Sequence, residues 1–406
     1  MAQLAYRTAG ESHGKALIAL VEGMPAGVAV DVELINGELR RRQGGYGRGG
    51  RQKIETDVVE LLSGVRQGHT IGSPVAMMLV NRDARLDDPD RTPPLFQPRP
   101  GHADLAGSVK YLTTDCRETL ERASARETAA RVMAGALAKC LLAAFGIEVF
   151  GFVRQVGEVR AKVPALDDGE AAARGDVDVS ALRAARDASE CYVPDAAADA
   201  AFVEFIHRAK VNKDTAGGVV ECHVFNLPVG LGSCMTWDGR LDGRIAAAVV
   251  GIQAFKGVEF GLGFEAARRF GSQVHDEIVY DPSRRQRPSL GFVRPTNHAG
   301  GLEGGMTNGA PLVVRGAMKP ISTLGKPLRS VDLNTKQPTS AGWERSDISA
   351  ISAASVVMEC VVAFEVARAL REKFGGDSLT EMKRQYEAYL EMARSLPLSG
   401  DAPTGA

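Results

Sequence analysis

Residues 351–370 read ISAASVVMECVVAFEVARAL, and this stretch limits the choice of fold more than any other. Twenty helical residues reach about 30 Å, enough to cross a bilayer. Glu359, Glu365 and Arg368 interrupt the run, and repeated charge argues for a buried amphipathic helix instead of a lipid-facing span. Ser346 and Asp347 precede it as N-cap candidates, Arg371 and Lys373 fall in its last turn, and Gly375-Gly376 stops it.

The rest of the chain suits a soluble globular protein: 406 residues, 44% hydrophobic and 24% charged. A formal net charge of −1 argues against a basic surface and against non-specific nucleic-acid binding. The cysteines Cys116, Cys140, Cys191, Cys222, Cys234 and Cys360 are irregularly spaced, form no CxxC pair and meet no histidine at ligand spacing. They read as free thiols in a reducing compartment, with no metal site. MAQLAYRTAGESHGK has no basic leader followed by an apolar run. The expected location is therefore the cytoplasm, with no membrane partner.

Helical patterning is clear over 118–146, which closes at Gly146, and over the short apolar segment 242–255. ALIALVEGM, PVAMMLV, VVECHVFNLPV and PLVVRGAM read as strands. The polar stretch 161–201, the proline-rich 82–100 and the tail after about Leu398 read as surface excursions. No GxGxxG opens a helix after a strand, so a dinucleotide-binding fold is not supported. The pattern predicts an α+β chain with large helices against antiparallel sheets.

Several short motifs bear chemistry. RRRQGGYGRGGRQK, 40–53, gathers Arg40, Arg41, Arg42, Arg48, Arg51 and Lys53 among five glycines with no acidic residue. Such guanidinium groups can converge on a phosphate. One cluster with a single aromatic favours a small phosphorylated ligand over RNA. GESHGK places Ser12 and His13 between small residues, and PRPGHAD sets His102 beside Gly101, with Arg99 and Asp104 to orient it. NHAGGLEGGMTNG, 297–309, has five glycines in thirteen residues and leads into PLVVRGAMKPIST, whose Lys319, Ser322 and Thr323 are phosphate donors. Each motif has a plainer reading alone: a surface turn, a mobile loop, or, for RASARETAARV, a solvated arginine face paired with Glu118, Glu121 and Glu127. RSDIS at 345–349 reads equally as an ordinary helix cap.

In series these motifs closely resemble the chorismate synthase family, from about residue 3 to about 378. The resemblance implies one catalytic domain over 1–378, with 379–406 as a C-terminal extension that is helical and then disordered. It implies a β-α-β sandwich, a helical centre covered by antiparallel sheets, assembled as a homotetramer. The 242–255 and 346–376 helices are candidates for that centre.

The implied reaction is the trans-1,4-elimination of phosphate from 5-enolpyruvylshikimate 3-phosphate to give chorismate, with reduced FMN, on the way to aromatic amino acids. His13 matches the family's general acid for the departing phosphate, and His102 matches the histidine that protonates the flavin. Ser12, Ser124 and Asp347 match proton-relay positions. Arg42 and Arg48, with Arg41 and Arg51 beside them, match anion-binding positions. The FMN contacts implied are Arg122, Ala123, Ser124, Gln253, Ala254, Gly304, Lys319, Pro320, Ile321, Ser322, Thr323 and Arg345. Reducing equivalents then come from NADPH or from an external flavin reductase; the chain has no extra reductase domain, which favours external supply. An RNA-binding protein and a flavin oxidoreductase are the rival readings.

Overall fold

A computed structural model describes residues 3–50, 55–342, 344 and 346–398. Arg51 and Arg345, two of the expected anion and cofactor contacts, lie outside the described residues. The helices are Val32–Gln43 (α1), Asp104–Lys110 (α2), Arg117–Ala123 (α3), Thr128–Ala143 (α4), Pro164–Asp167 (α5), Gly169–Arg174 (α6), Val179–Asp187 (α7), Ala196–Val211 (α8), Leu241–Val250 (α9), Ile351–Phe374 (α10) and Leu379–Arg394 (α11).

Two antiparallel sheets enclose the longest helices. One has the order Ala5–Ala9, Ala16–Glu22, Val75–Val80, Glu60–Leu61. The other runs Phe255–Phe260, Leu312–Met318, Gly218–Phe225, Glu148–Val156, Val159–Arg160. The α4 helix packs on the first sheet, α10 packs on the second, and α4 and α10 pack on each other. The result is the α+β fold that the sequence pattern predicted, in the β-α-β sandwich arrangement that the resemblance implied. Gly135 of α4 permits the close helix contact, because a Cβ there would stand 2.3 Å from the Cys360 carbonyl oxygen.

The charges inside the apolar run now have partners. Glu359 is buried in α10 and meets Lys139 Nζ at 2.7 Å, Arg41 Nη2 at 3.1 Å and Arg186 Nη1 at 3.3 Å. Burial alone would raise its carboxyl, but these three cations outweigh burial and hold it well below the carboxylate range. Glu365 meets Arg244 and Arg368 at the edge of the layer, and there burial wins and its carboxyl is pushed up.

Three local expectations need correction. The 161–201 excursion is largely helical, in α5, α6, α7 and the start of α8, and Val163, Val179 and Leu182 pack on Phe150, Phe152 and Phe225 of the second sheet. The continuous helix over 118–146 breaks at Ser124, whose backbone is extended. Finally, neither Ser346 nor Asp347 caps α10. That helix starts at Ile351 after Ala350, which makes no side-chain cap bond.

Candidate active site

The first sheet delivers His13 in the turn between strands Ala5–Ala9 and Ala16–Glu22. Gly10 makes this turn with φ +102°, where a Cβ would lie 2.1 Å from the Ala16 carbonyl oxygen. Its role is the turn itself. The His13 ring is 9% exposed and fixed on two sides. Nδ1 lies 2.9 and 3.0 Å from the two carboxylate oxygens of Glu121 on α3, and the His13 backbone N–H donates to the same carboxylate at 2.8 Å. Nε2 faces Arg85 Nη2 at 3.3 Å and Asp83 Oδ2 at 3.7 Å. Burial would raise the Glu121 carboxyl, but its bonds to His13 and the nearby Arg117 outweigh burial and hold it below the usual carboxylate range.

Ser124 interrupts the helix for a local reason. Its Oγ accepts from the Arg126 N–H at 3.3 Å and donates to Ser12 Oγ at 3.1 Å. The break thus sets two hydroxyls side by side, next to His13 in sequence.

His102 has a parallel arrangement. Its Nδ1 makes a short contact with Asp104 Oδ1. Arg99 donates to Asp104 through Nε at 2.8 Å and Nη2 at 3.1 Å, and to Thr323 Oγ1 through Nη1 at 2.9 Å. The His102 and Arg99 bonds outweigh burial and hold the Asp104 carboxyl well below its usual range. Ser322 donates to the Gly101 carbonyl at 2.9 Å, and Lys319 Nζ donates to Ser322 Oγ at 3.0 Å. PRPGHAD and MKPIST, more than two hundred residues apart in sequence, therefore form one surface.

The arginine and glycine stretch turns inward. Arg48 Nη1 meets Asp347 Oδ2 at 2.9 Å, and the Gly49 N–H donates to Asp347 Oδ1 at 2.6 Å. Ser346 Oγ donates to the Thr323 carbonyl at 3.1 Å, joining this pair to the His102 surface. Arg42 donates to Thr128 Oγ1 at 2.9 Å and to the Ala125 carbonyl at 3.0 Å. Burial, then the charge of Arg126, pushes Arg42 down to about 9 against the opposing pull of Asp57. The three arginines face three carboxylates: Asp57 stands 3.6 Å from Arg42 Nη1, Asp347 2.9 Å from Arg48 Nη1 and Glu55 3.7 Å from Arg126 Nη2. Arg42 Nη1, Arg48 Nε and Arg126 Nη2 are buried with no hydrogen-bond partner among the described residues. An anion placed here would supply the acceptors that these buried N–H groups lack.

The expected FMN contacts divide. Arg122 donates to the Gly10 and Thr8 carbonyls, next to Ala123 and Ser124. Gln253 donates to Glu127 at 3.0 Å and leaves its buried Oε1 without a donor. Ala254 (φ +69°) accepts from the Lys319 N–H at 3.0 Å, which brings it to the head of the run Lys319, Pro320, Ile321, Ser322 and Thr323. Burial, then Lys256, pushes the Lys319 ammonium down. Two residues stand apart. Arg41 turns to Glu38 and Glu359 in the helical layer, where its two Nη atoms are ion-paired and its buried Nε lacks a hydrogen-bond acceptor among the described residues. Gly304 sits in a hairpin turn near Cys234 and the start of α9. Gln253 lies past the end of that helix, so the two are roughly 15 Å apart along it.

Sequence reasoning missed Glu121, Arg85, Asp57 and the burial of Arg126. Arg126 Nη1 bonds both Asp57 oxygens at 2.8 and 2.7 Å, and its Nε bonds Asn81 at 3.0 Å. Only the Arg131–Glu127 pair on that segment is the expected i,i+4 contact. The available signal was proximity in sequence: Glu121 and Arg126 flank Ser124 in one short segment.

A family model described as chorismate synthase matches residues 4–370. The chorismate synthase of Geobacter sulfurreducens is 54% identical over 402 residues, covering 97% of this chain and 100% of that one. That of Symbiobacterium thermophilum is 54% identical over 400 residues, covering 95% and 98%. A solved crystal structure of chorismate synthase superposes with a TM-score of 0.77 at 42% identity, covering 97% of this chain and 99% of that one.

Proposed function

The chain belongs to the chorismate synthase family, lyases of aromatic amino-acid biosynthesis, and we propose that it carries out that family's full reaction. The substrate is 5-enolpyruvylshikimate 3-phosphate, from which the 3-phosphate and a C6 hydrogen are eliminated to give chorismate, with reduced FMN required. The observation that carries this reading is the set of buried guanidinium nitrogens left without hydrogen-bond acceptors, in a chain whose two motif histidines are each held by a carboxylate. A phosphate and carboxylates brought into that pocket need cations already in place.

The residues fit a flavin mononucleotide. Lys319 meets the Ser322 hydroxyl in place of a carboxylate, a ready partner for the cofactor phosphate, and the orphaned Gln253 Oε1 suits a ring or ribityl donor. Held by these residues, a reduced flavin would supply transient electron density for the elimination with no net redox change.

The chain's own groups do the rest. Arg48 and Arg42 neutralise the substrate's anionic groups. His13 delivers a proton to the departing phosphate oxygen, and Glu121 stabilises the imidazolium that does so. His102, oriented by Asp104, holds a proton at the cofactor side. The Ser12–Ser124 hydroxyl pair and Asp347 carry protons between these positions. Assembly as a homotetramer, with reduced flavin from an external reductase and NADPH as the ultimate donor, belongs to the same proposal. The exposed Met235, Trp237, Phe264 and Phe270 support it as surface suited to burial against further copies.

The test is an anaerobic assay with chemically reduced FMN and the phosphorylated enolpyruvyl substrate. Chorismate should form over many turnovers without stoichiometric consumption of reductant. No chorismate at micromolar enzyme, or one reductant consumed per product, overturns the reading.

A further inference from the structure

The proposed acid step needs a proton on His13 Nε2, and the resting geometry places none there. Nδ1 faces the Glu121 carboxylate at 2.9 and 3.0 Å, and an ionised carboxylate only accepts. Nε2 faces Arg85 Nη2 at 3.3 Å, and a guanidinium only donates. Of the two neutral tautomers, these partners select the one with the proton on Nδ1, in which Nε2 offers its lone pair to Arg85.

Arg85 is built to hold that position and also to leave it. The Arg85 and Leu86 backbone N–H groups donate to the His13 carbonyl at 2.9 and 3.0 Å, so this part of the loop stays docked. The side chain is held loosely by comparison. It donates to the Arg91 carbonyl at 3.2 Å, stands 3.6 Å from Asp83 Oδ1, and its Nε has no hydrogen-bond acceptor. The charged groups facing the imidazole are then Glu121 with Arg117 behind it, Asp83 with Arg91 behind it, and Arg85 itself.

We propose that Arg85 is a further phosphate-binding residue of the site and the switch that arms His13. Arrival of the substrate phosphate draws the guanidinium off Nε2 into a charge-assisted bond with a phosphate oxygen. Nε2 then takes a proton from solvent and turns it towards the same phosphate, between Glu121 and Asp83. The proton later passes to the bridging oxygen as the carbon–oxygen bond breaks. This inference rests on the elimination reading above and adds to it a residue that neither the arginine cluster nor the histidine motifs contain.

The experiment uses the full-length protein with oxidised FMN in excess, so that the cofactor's own phosphate site is filled, and inorganic phosphate as the probe. Nitrogen-15 NMR of labelled histidine, with the His13 signal identified by its loss in His13→Gln, should show a proton on Nδ1 alone before phosphate and on both nitrogens after it. Arg85→Ala should weaken phosphate binding about tenfold or more, raise KM for the phosphorylated substrate and lower kcat, and Arg85→Lys should recover part of the binding. A proton on Nε2 in the phosphate-free wild-type enzyme overturns the switch. Unchanged phosphate affinity in Arg85→Ala, with the wild-type enzyme turning over normally in the anaerobic assay, overturns the Arg85 assignment and leaves the elimination reading standing.

Discussion

His13 and His102 come from different loops yet receive the same treatment: a carboxylate two residues away or on a neighbouring helix holds Nδ1, so the other ring nitrogen is the one left for chemistry. If the carboxylate sustains the imidazolium form of His13, Glu121→Gln should lower kcat at least about tenfold with a smaller change in KM. The alkaline limb of kcat against pH should also move to lower pH. An unchanged pH profile removes Glu121 from the proton chemistry. The pairs affect stability as well. Asp104 and Glu121 bind protons less readily folded than unfolded. Their contribution is therefore complete above the unfolded carboxyl value of about 4 and is lost as pH falls below it. Denaturant unfolding at successive pH values should show a shallower acid decline for Asp104→Asn than for the wild type, with the two curves converging at low pH.

At the scale of elements, legibility followed the source of each signal. The strands Ala16–Glu22, Val75–Val80, Gly218–Phe225 and Leu312–Met318 were readable because their own side chains are apolar runs or alternations. The helices α5 to α8 were not, because they bury at most three apolar residues each, and α5 none, and otherwise meet water, which leaves a polar, irregular sequence. Ser124 sits in a segment of high helix propensity, and only its tertiary bond to Ser12 explains the break. RSDIS looked like a cap because capping and ion pairing call for the same residue type; the structure spends Asp347 on Arg48. The buried helix α10 was legible, but the reason for the charge in it was not, since Lys139, Arg41 and Arg186 arrive from three other helices. Glu359→Gln leaves those three cations with only Glu38 and Asp187 as counter-charges, and should cost about 3 kcal/mol of unfolding free energy. Calorimetry or urea unfolding checks this; a cost near zero means that water or rearrangement already screens the cluster.

For the molecule as a whole, a net charge of −1 coexists with an arginine cluster turned inward, and the two facts separate a small-ligand site from a nucleic-acid surface. An RNA-binding stretch exposes its arginines to a polymer, whereas here the side chains of Arg41, Arg42 and Arg48 are only 16%, 4% and 9% exposed. Arg40, at 63%, is the freely exposed cation of that segment among the described residues. Among the described residues of the segment, one exposed arginine neutralises too few phosphates to hold a nucleic acid. A protein making 6 to 10 phosphate contacts loses about 10³ to 10⁵ in affinity between 50 and 200 mM salt. A pocket whose cations are already desolvated is screened far less. Kinetics across that salt range should therefore raise KM for the phosphorylated substrate by less than about tenfold. Fluorescence anisotropy with single-stranded RNA should show no saturable binding at about 150 mM salt. A steep salt dependence of RNA binding would mean that the guanidinium groups turn outward in solution, and the inward pocket on which His13 and His102 depend would then have no cations to hold a phosphate.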